Sequence, residues 1–256
     1  MIHSRKSVSE PKRTALARAL SKLGLCSRSR GRELILAGRV RLNGKICRNP
    51  EHWVALEQDR IQLDSQAIEA EAKIYLMLNK PRGLITTVSD EHHRSTVYEC
   101  FKQEKLPRIV PVGRLDMASE GLLLFTNDTA WANLISSPES HVAKIYHVQI
   151  ARIAKKELVR QMMTGQKVES DFLAATRVSI LRTGSRNSWL EVVLTEGKNR
   201  HVRRLLASLG VEVLRLVRVA IGPLQLGELP KGEFRYLTQE EVAALTSGSV
   251  GIARAF

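Results

Sequence analysis

Residues 111–128, PVGRLDMASEGLLLFTND, constrain the fold more than any other stretch. The apolar run at 122–125 is short and unbroken, with Gly121 on one side and Asn127 and Asp128 on the other. Such a run between turn residues predicts a buried strand rather than a helix. Asp116 follows Arg114 and Leu115 in the loop that feeds this strand. A rigid strand with an irregular tip is the kind of scaffold that carries reactive groups. In a chain this basic, a carboxylate at that tip opposes the binding of a polyanion, so its presence there points to chemistry.

The 256 residues carry 40 Lys and Arg against 26 Asp and Glu, a net charge of +14 with a pI near 10.1. That balance implies an anionic partner. Nucleic acid fits better than a membrane surface, because no basic amphipathic anchor helix stands out. No apolar run approaches membrane-spanning length, and the basic start has no hydrophobic segment of the secretory kind. Cys26, Cys47 and Cys100 are widely spaced and odd in number, which suits neither a disulfide framework nor paired metal ligands. The expectation is a cytoplasmic protein that works without a metal or other cofactor and is monomeric by default. The length allows one substantial core and a small second domain.

Charge is concentrated at the start, where residues 1–60 hold fourteen Lys or Arg against five Asp or Glu. Thr14 is positioned to cap a helix with Leu16, Leu20 and Leu23 on one face, stopping at Gly24. Ser27 is positioned to cap a second helix, with Leu34 and Ile35 turned inward and Gly38 at its end. Arg28, Arg30 and Arg32 crowd the start of that helix, and Arg39 and Arg41 follow it. Residues 40–46, VRLNGKI, alternate around an Asn-Gly pair, a strong hairpin signal that includes Lys45. A charge run is usually a solvated face. A basic helix followed at once by a tight basic hairpin favours a phosphate-binding surface instead.

Residues 63–72 read as a polar linker. A strand at 74–78 runs into the basic turn at 79–83, and 84–88 reads as another strand. His92 and His93 lie in a polar loop and, being adjacent without further ligands, read as solvated residues rather than metal ligands. Asp128 is positioned to cap a short helix. KIYHVQI at 144–150 alternates as a strand with Lys144, Tyr146 and Val148 on one face. A helix at 154–163 and a hairpin-like region at 167–194 follow. Asn199 then reads as the cap of a helix that buries Val202, Leu205, Leu206 and Leu209, with basic residues at its anion-attracting start. A long strand at 211–221 and a capping box of Thr238 with Glu241 complete the pattern. Composition and periodicity reach a basic α/β RNA-binding protein and stop there.

Two resemblances go further. Residues 12–62, above all SRSRGRELILAGRVRLNGK, resemble the S-four-type (α-L) RNA-binding domain. Residues 73–246 resemble the catalytic domain of the RsuA-like ribosomal-RNA pseudouridine synthases. The motifs are LNKPRGLITT at 78–87, GRLDMASEGLLLFTND at 113–128, KIYHVQI at 144–150, EGKNRHVRRLLASLG at 196–210 and PKGEFRYLTQEE at 230–241. The resemblance implies an α/β (α+β) fold: a small α-L domain, then a mixed, largely antiparallel sheet with flanking helices around a basic cleft. It also implies isomerisation of a specific uridine to pseudouridine in ribosomal RNA or a ribosome-assembly intermediate, with large-subunit RNA favoured and no cofactor.

By that resemblance Asp116 is the essential carboxylate, acting as nucleophile or as a base on a sugar proton; the residues do not choose between these. Arg203 matches a basic position beside it, Tyr146 a tyrosine that packs on the base, and Leu194 an apolar pocket wall. Arg114 fills the gap left by a flipped uridine, or else braces the loop by pairing with Glu120. Lys198 and Arg200 join the basic surface, with Arg200 and Arg204 the more ordinary solvated residues of their helix. His201 departs from the glutamine expected there, and Thr129 from a glycine. Two rival readings remain: a non-catalytic RNA-binding assembly factor that kept the fold, and a carboxylate-based hydrolase with Glu120 as second acid.

Overall fold

The computed structural model describes residues 13–68, 71–88 and 90–247. The linker expected at 63–72 therefore lies partly outside the described residues, as do residue 12 and the tail beyond 247. The chain divides into two compact units, Met1–Lys73 and Ile74–Phe256.

In the first unit the helices Leu16–Lys22 and Arg28–Leu36 pack Leu16, Leu20, Leu34 and Ile35 against Val40, Val54 and Ile61. Ser27 caps the second helix through the Arg30 amide at 3.1 Å. Thr14 does not cap the first. It belongs to the strand Arg13–Ala15, which pairs with Trp53–Ala55, a long-range pairing that overrides the local cap signal. The Asn43-Gly44 turn, both residues at positive φ, joins Val40–Leu42 to Lys45–Ile46. Part of the expected linker is also strand: Gln66–Ala67 turns back on Ile61–Leu63 through Asp64 and Ser65.

The second unit is built on a mixed sheet. Its path runs Arg177–Thr183, Ser188–Leu194, Lys144–Ile150, Val213–Ile221, Glu120–Thr126, Tyr75–Lys80 and Phe234–Tyr236. Neighbours along it are antiparallel except Val213–Ile221 against Glu120–Thr126, which is parallel. All seven residues of Glu120–Thr126 are buried, because both faces are covered. Leu123 and Phe125 pack with Phe101 and Leu115 on one side. Leu122 and Leu124 pack with Trp131, Ile135 and Leu245 on the other, under the helices Thr129–Ser136 and Gln239–Ser247. A third cluster joins Val148, Leu190 and Leu194 to Val202, Leu205 and Leu206 of the helix His201–Ser208.

The parallel junction requires a glycine. Gly121 sits at φ +100°, and a Cβ there would stand 2.8 Å from the Arg218 backbone nitrogen and closer still to its carbonyl oxygen. The loop that precedes this strand is thereby held against Val213–Ile221.

Two further local expectations are corrected. Residues 84–88 form no strand; Ile85 makes an isolated parallel bridge to Thr96. Asn199 is not the cap of its helix, since Arg200 occupies that place in the left-handed region without a side-chain cap. The caps at Asp128 and at Thr238 with Glu241 form as the spacing predicts.

Candidate active site

The loop at 115–119 is fixed by its carbonyls, each of which accepts a hydrogen bond. Thr86 Oγ1 donates to the Leu115 carbonyl at 2.7 Å, and the Gly83 amide to Met117 at 2.8 Å. The Arg203 guanidinium donates to Ala118 at 3.0 Å. Lys80 reaches two more, Asp116 at 3.2 Å and Ser119 at 2.9 Å, as well as its neighbour Pro81 at 3.0 Å. Buried acceptors left open are costly, so the backbone around Asp116 has one strongly favoured arrangement.

Lys80 is fully buried, and burial drives its ammonium from 10.5 to about 8 despite the nearby Asp116 charge. Nothing local in the chain signals this. A lysine beside proline in a basic turn reads as a surface cation, and only the tertiary fold gathers the three carbonyls around it.

With its backbone held, Asp116 turns its partly exposed carboxylate into a cavity of about 340 Å³. Arg114, Tyr146, Leu194, Lys198, Arg200 and Arg203 line the same cavity, so residues from three separated motifs, together with Leu194, meet at one place. Lys144, Ser119, Glu196, His201 and Arg218 also line it and were not assigned there from sequence. Buried polar atoms without a hydrogen-bond partner belong to lining residues: Ser119 Oγ, both ring nitrogens of His201, Arg203 Nε and Arg218 Nη2. Polar groups left unsatisfied in a protein interior mark a site that something else completes.

The electrostatics differ from the sequence expectation. Arg200, read as a solvated or general RNA-binding residue, brings its guanidinium to 3.8 Å from the Asp116 carboxylate. Arg203 instead spends its guanidinium on the carbonyls of Ala118 and Val213. Burial, and then the adjacent Arg200 charge, lower the pKa of Arg203 while Asp116 opposes the shift. The left-handed backbone at Arg200 turns that side chain toward Asp116, a feature no helix periodicity encodes. Arg204 is not a solvated residue either, since it bonds Asp171 at 2.7 Å and Glu169 at 3.1 Å.

Glu120 is neither a partner for Arg114 nor a second acid of the cavity. Its buried carboxylate is held by Arg215 at 2.8 Å and Lys231 at 2.5 Å. Burial raises its pKa, but the bonds from these two cations outweigh burial and leave it below the ordinary value. The acid that does share the cavity with Asp116 is Glu196, paired with Lys198 at 3.2 Å and 3.6 Å from the Nδ1 of buried His201.

In the first unit Arg28, Arg30, Arg32, Arg39 and Lys45 are exposed and Arg41 is half-buried. Arg30 pairs with Glu33, Arg32 with Glu51 and Arg39 with Asp64, while Arg41 donates to the Gly44 carbonyl. Exposed pairs of this kind are weak and leave the guanidinium groups open to exchange for phosphate. His92 and His93 are exposed, and among the described residues no group of three or more His, Cys, Asp or Glu could hold a metal ion.

The RNA pseudouridylate synthase family profile matches residues 74–208, and the S4 domain profile matches residues 16–61. An uncharacterised RNA pseudouridine synthase of Aquifex aeolicus is 36% identical over 228 residues, covering 88% of this chain and 91% of that protein. The ribosomal large subunit pseudouridine synthase B of Bacillus subtilis is 35% identical over 234 residues, covering 90% and 94%. A pseudouridylate synthase crystal structure superposes with a TM-score of 0.64 at 29% identity, over 91% of this chain and 99% of that one. The chain is a member of the RNA pseudouridylate synthase family, with an S4 domain preceding its catalytic unit.

Proposed function

We propose that this pseudouridine synthase acts on a specific uridine of ribosomal RNA, in the large subunit, with Asp116 as its essential carboxylate. The observation that carries the reading is the cavity itself: residues from three motifs far apart in sequence meet there around one carboxylate whose loop carbonyls are all bonded. The likeness to the Bacillus subtilis large-subunit enzyme favours that RNA, and the net charge of +14 suits a polyanion.

Isomerisation breaks the bond from the sugar C1′ to N1 of the base and forms one from C1′ to C5. The proton lost from C5 is balanced by one gained at N1, so the overall change needs no oxidant or added group. Asp116 begins it, as a nucleophile or as a base on the sugar. Arg200 stands as counter-ion to the carboxylate, and Arg203 positions the loop through Ala118. Tyr146 and Leu194 supply the surfaces between which the base turns. Arg114 is exposed, is not engaged by Glu120, and is free to occupy the place of the extracted uridine. Arg28, Arg30, Arg32, Arg39, Arg41 and Lys45 of residues 12–62 bind the RNA backbone, joined through 63–72 to the catalytic domain at 73–246. The protein works as a monomer in the cytoplasm.

The test is tritium release from ribosomal RNA transcripts made with [5-³H]uridine, since C5 loses its hydrogen as the new bond forms. Large-subunit transcripts should release tritium with the wild type and not with Asp116→Asn. Equal release by Asp116→Asn would refute the role of the carboxylate, and release from small-subunit RNA alone would refute the assignment of the substrate.

A further inference from the structure

Lys144 and Arg218 lie on adjacent antiparallel strands, with Lys144 opposite Ile221 and Tyr146 opposite Arg218, and both line the cavity. Arg218 is 5% exposed; its Nε donates to the Leu122 carbonyl at 2.7 Å, while its Nη2 is buried without a partner. Burial, and then the Arg218 charge, push the half-buried Lys144 ammonium from 10.5 down to about 8. The charged group acting on Lys144 is thus another cation. The neighbouring carboxylates are already engaged: Asp116 by Arg200, Glu196 by Lys198, and Glu120 by Arg215 and Lys231.

Two like charges held together in a part-buried wall are unfavourable unless an anion completes them. An arginine presenting a planar donor set beside a lysine point charge suits a tetrahedral oxyanion. An RNA substrate has one such group, its phosphodiester, and a nucleotide extracted from its stack carries its flanking phosphates with it.

We propose that Lys144 and Arg218 form a phosphodiester subsite on the cavity wall that takes a backbone phosphate flanking the uridine undergoing isomerisation. The subsite rests on the reading of this cavity as the uridine site. It gives extraction of the nucleotide an electrostatic return that the base alone could not provide, because the phosphate relieves the repulsion between the two cations.

The test is calorimetric titration of the full chain with uridine and with uridine 3′,5′-bisphosphate at pH 7 and low salt. The wild type should bind the bisphosphate at least about tenfold more tightly than uridine. Lys144→Gln should lose most of that gap and keep its affinity for uridine, and Lys144→Arg should retain the gap. Asp116→Asn should keep it too, because the subsite does not use the carboxylate. Equal binding of the two ligands by the wild type overturns the subsite, as does a full gap in Lys144→Gln.

If Lys144→Gln does not fold, reductive methylation of the wild type decides. Inorganic phosphate should slow labelling of Lys144 and not of exposed Lys156, and labelling unaffected by phosphate overturns the proposal. Tritium release separates the two readings. Release without a bisphosphate gap leaves the uridine site standing and removes the subsite. A gap without release leaves phosphate binding at the two cations but removes the isomerisation reading on which the subsite rests, and so overturns the proposal with it.

Discussion

Lys80→Met removes the clamp on the Asp116 loop while leaving Asp116 itself and the apolar volume nearly unchanged. Methionine cannot donate to the carbonyls of Pro81, Asp116 and Ser119, now bonded at 3.0, 3.2 and 2.9 Å. The Asp116 carbonyl keeps its bond from the Ser119 amide at 2.9 Å, so two acceptors are left open, each at a cost of about 2 kcal/mol. Against this, the fall of the ammonium from 10.5 to about 8 shows that holding the charge costs about 3 kcal/mol. The net expectation is a loss of about 1 kcal/mol of stability.

The effect on rate is larger. A loop free to shift by about 1 Å misplaces the carboxylate and costs about a hundredfold in kcat, with KM for RNA little changed. Single-turnover tritium release, measured well below the melting temperature, reads the rate; urea unfolding reads the stability.

The pH dependence gives an independent check. The folded-state pKa of Lys80 lies below the unfolded one, so between about pH 8 and 10.5 the unfolded chain binds more protons and stability rises with pH. Lys144 shifts the same way, so Lys80→Met should lose only one lysine's share of that rise. A variant that melts and turns over like the wild type would refute the clamp. A destabilised variant with an unchanged rate would show that Lys80 supports the fold and not the position of Asp116.

Two further substitutions probe the frame of the site. Glu120→Gln should remove a slope in the acid range. The folded pKa of Glu120 lies below its ordinary 4.5, so its contribution is full above that value and is lost as pH falls through the folded pKa; equal acid unfolding of wild type and variant would refute it. Gly121→Ala places a Cβ against the Arg218 backbone at φ +100° and should cost at least about 3 kcal/mol, read as a lower urea midpoint. A midpoint unchanged by Gly121→Ala would mean that the parallel junction tolerates a side chain.

Features whose cause lies within a few residues were legible in the sequence. The Ser27 cap, the Asn43-Gly44 turn, the Asp128 cap and the box of Thr238 with Glu241 form where the spacing predicts. So does Glu120–Thr126, whose apolar run needed burial on both faces. Features that depend on distant partners were not. Thr14 enters a strand because Val54 lies opposite it, and residues 84–88 form only the isolated bridge from Ile85 to Thr96. Lys80 and Arg218 read as ordinary cations until the fold surrounds them, and Arg200 reaches Asp116 through one left-handed residue. Of the residues lining the cavity, the family resemblance named Asp116, Arg114, Tyr146, Leu194, Lys198, Arg200 and Arg203; the approach of Arg200 to Asp116 and the burial of Lys80 depend on tertiary structure.

The most direct test is pseudouridine mapping of total ribosomal RNA from cells lacking this protein, complemented with the wild type or with Asp116→Asn. The account predicts that one large-subunit pseudouridine disappears, that the wild type restores it, and that Asp116→Asn does not. An unchanged map, or restoration by Asp116→Asn, would contradict it.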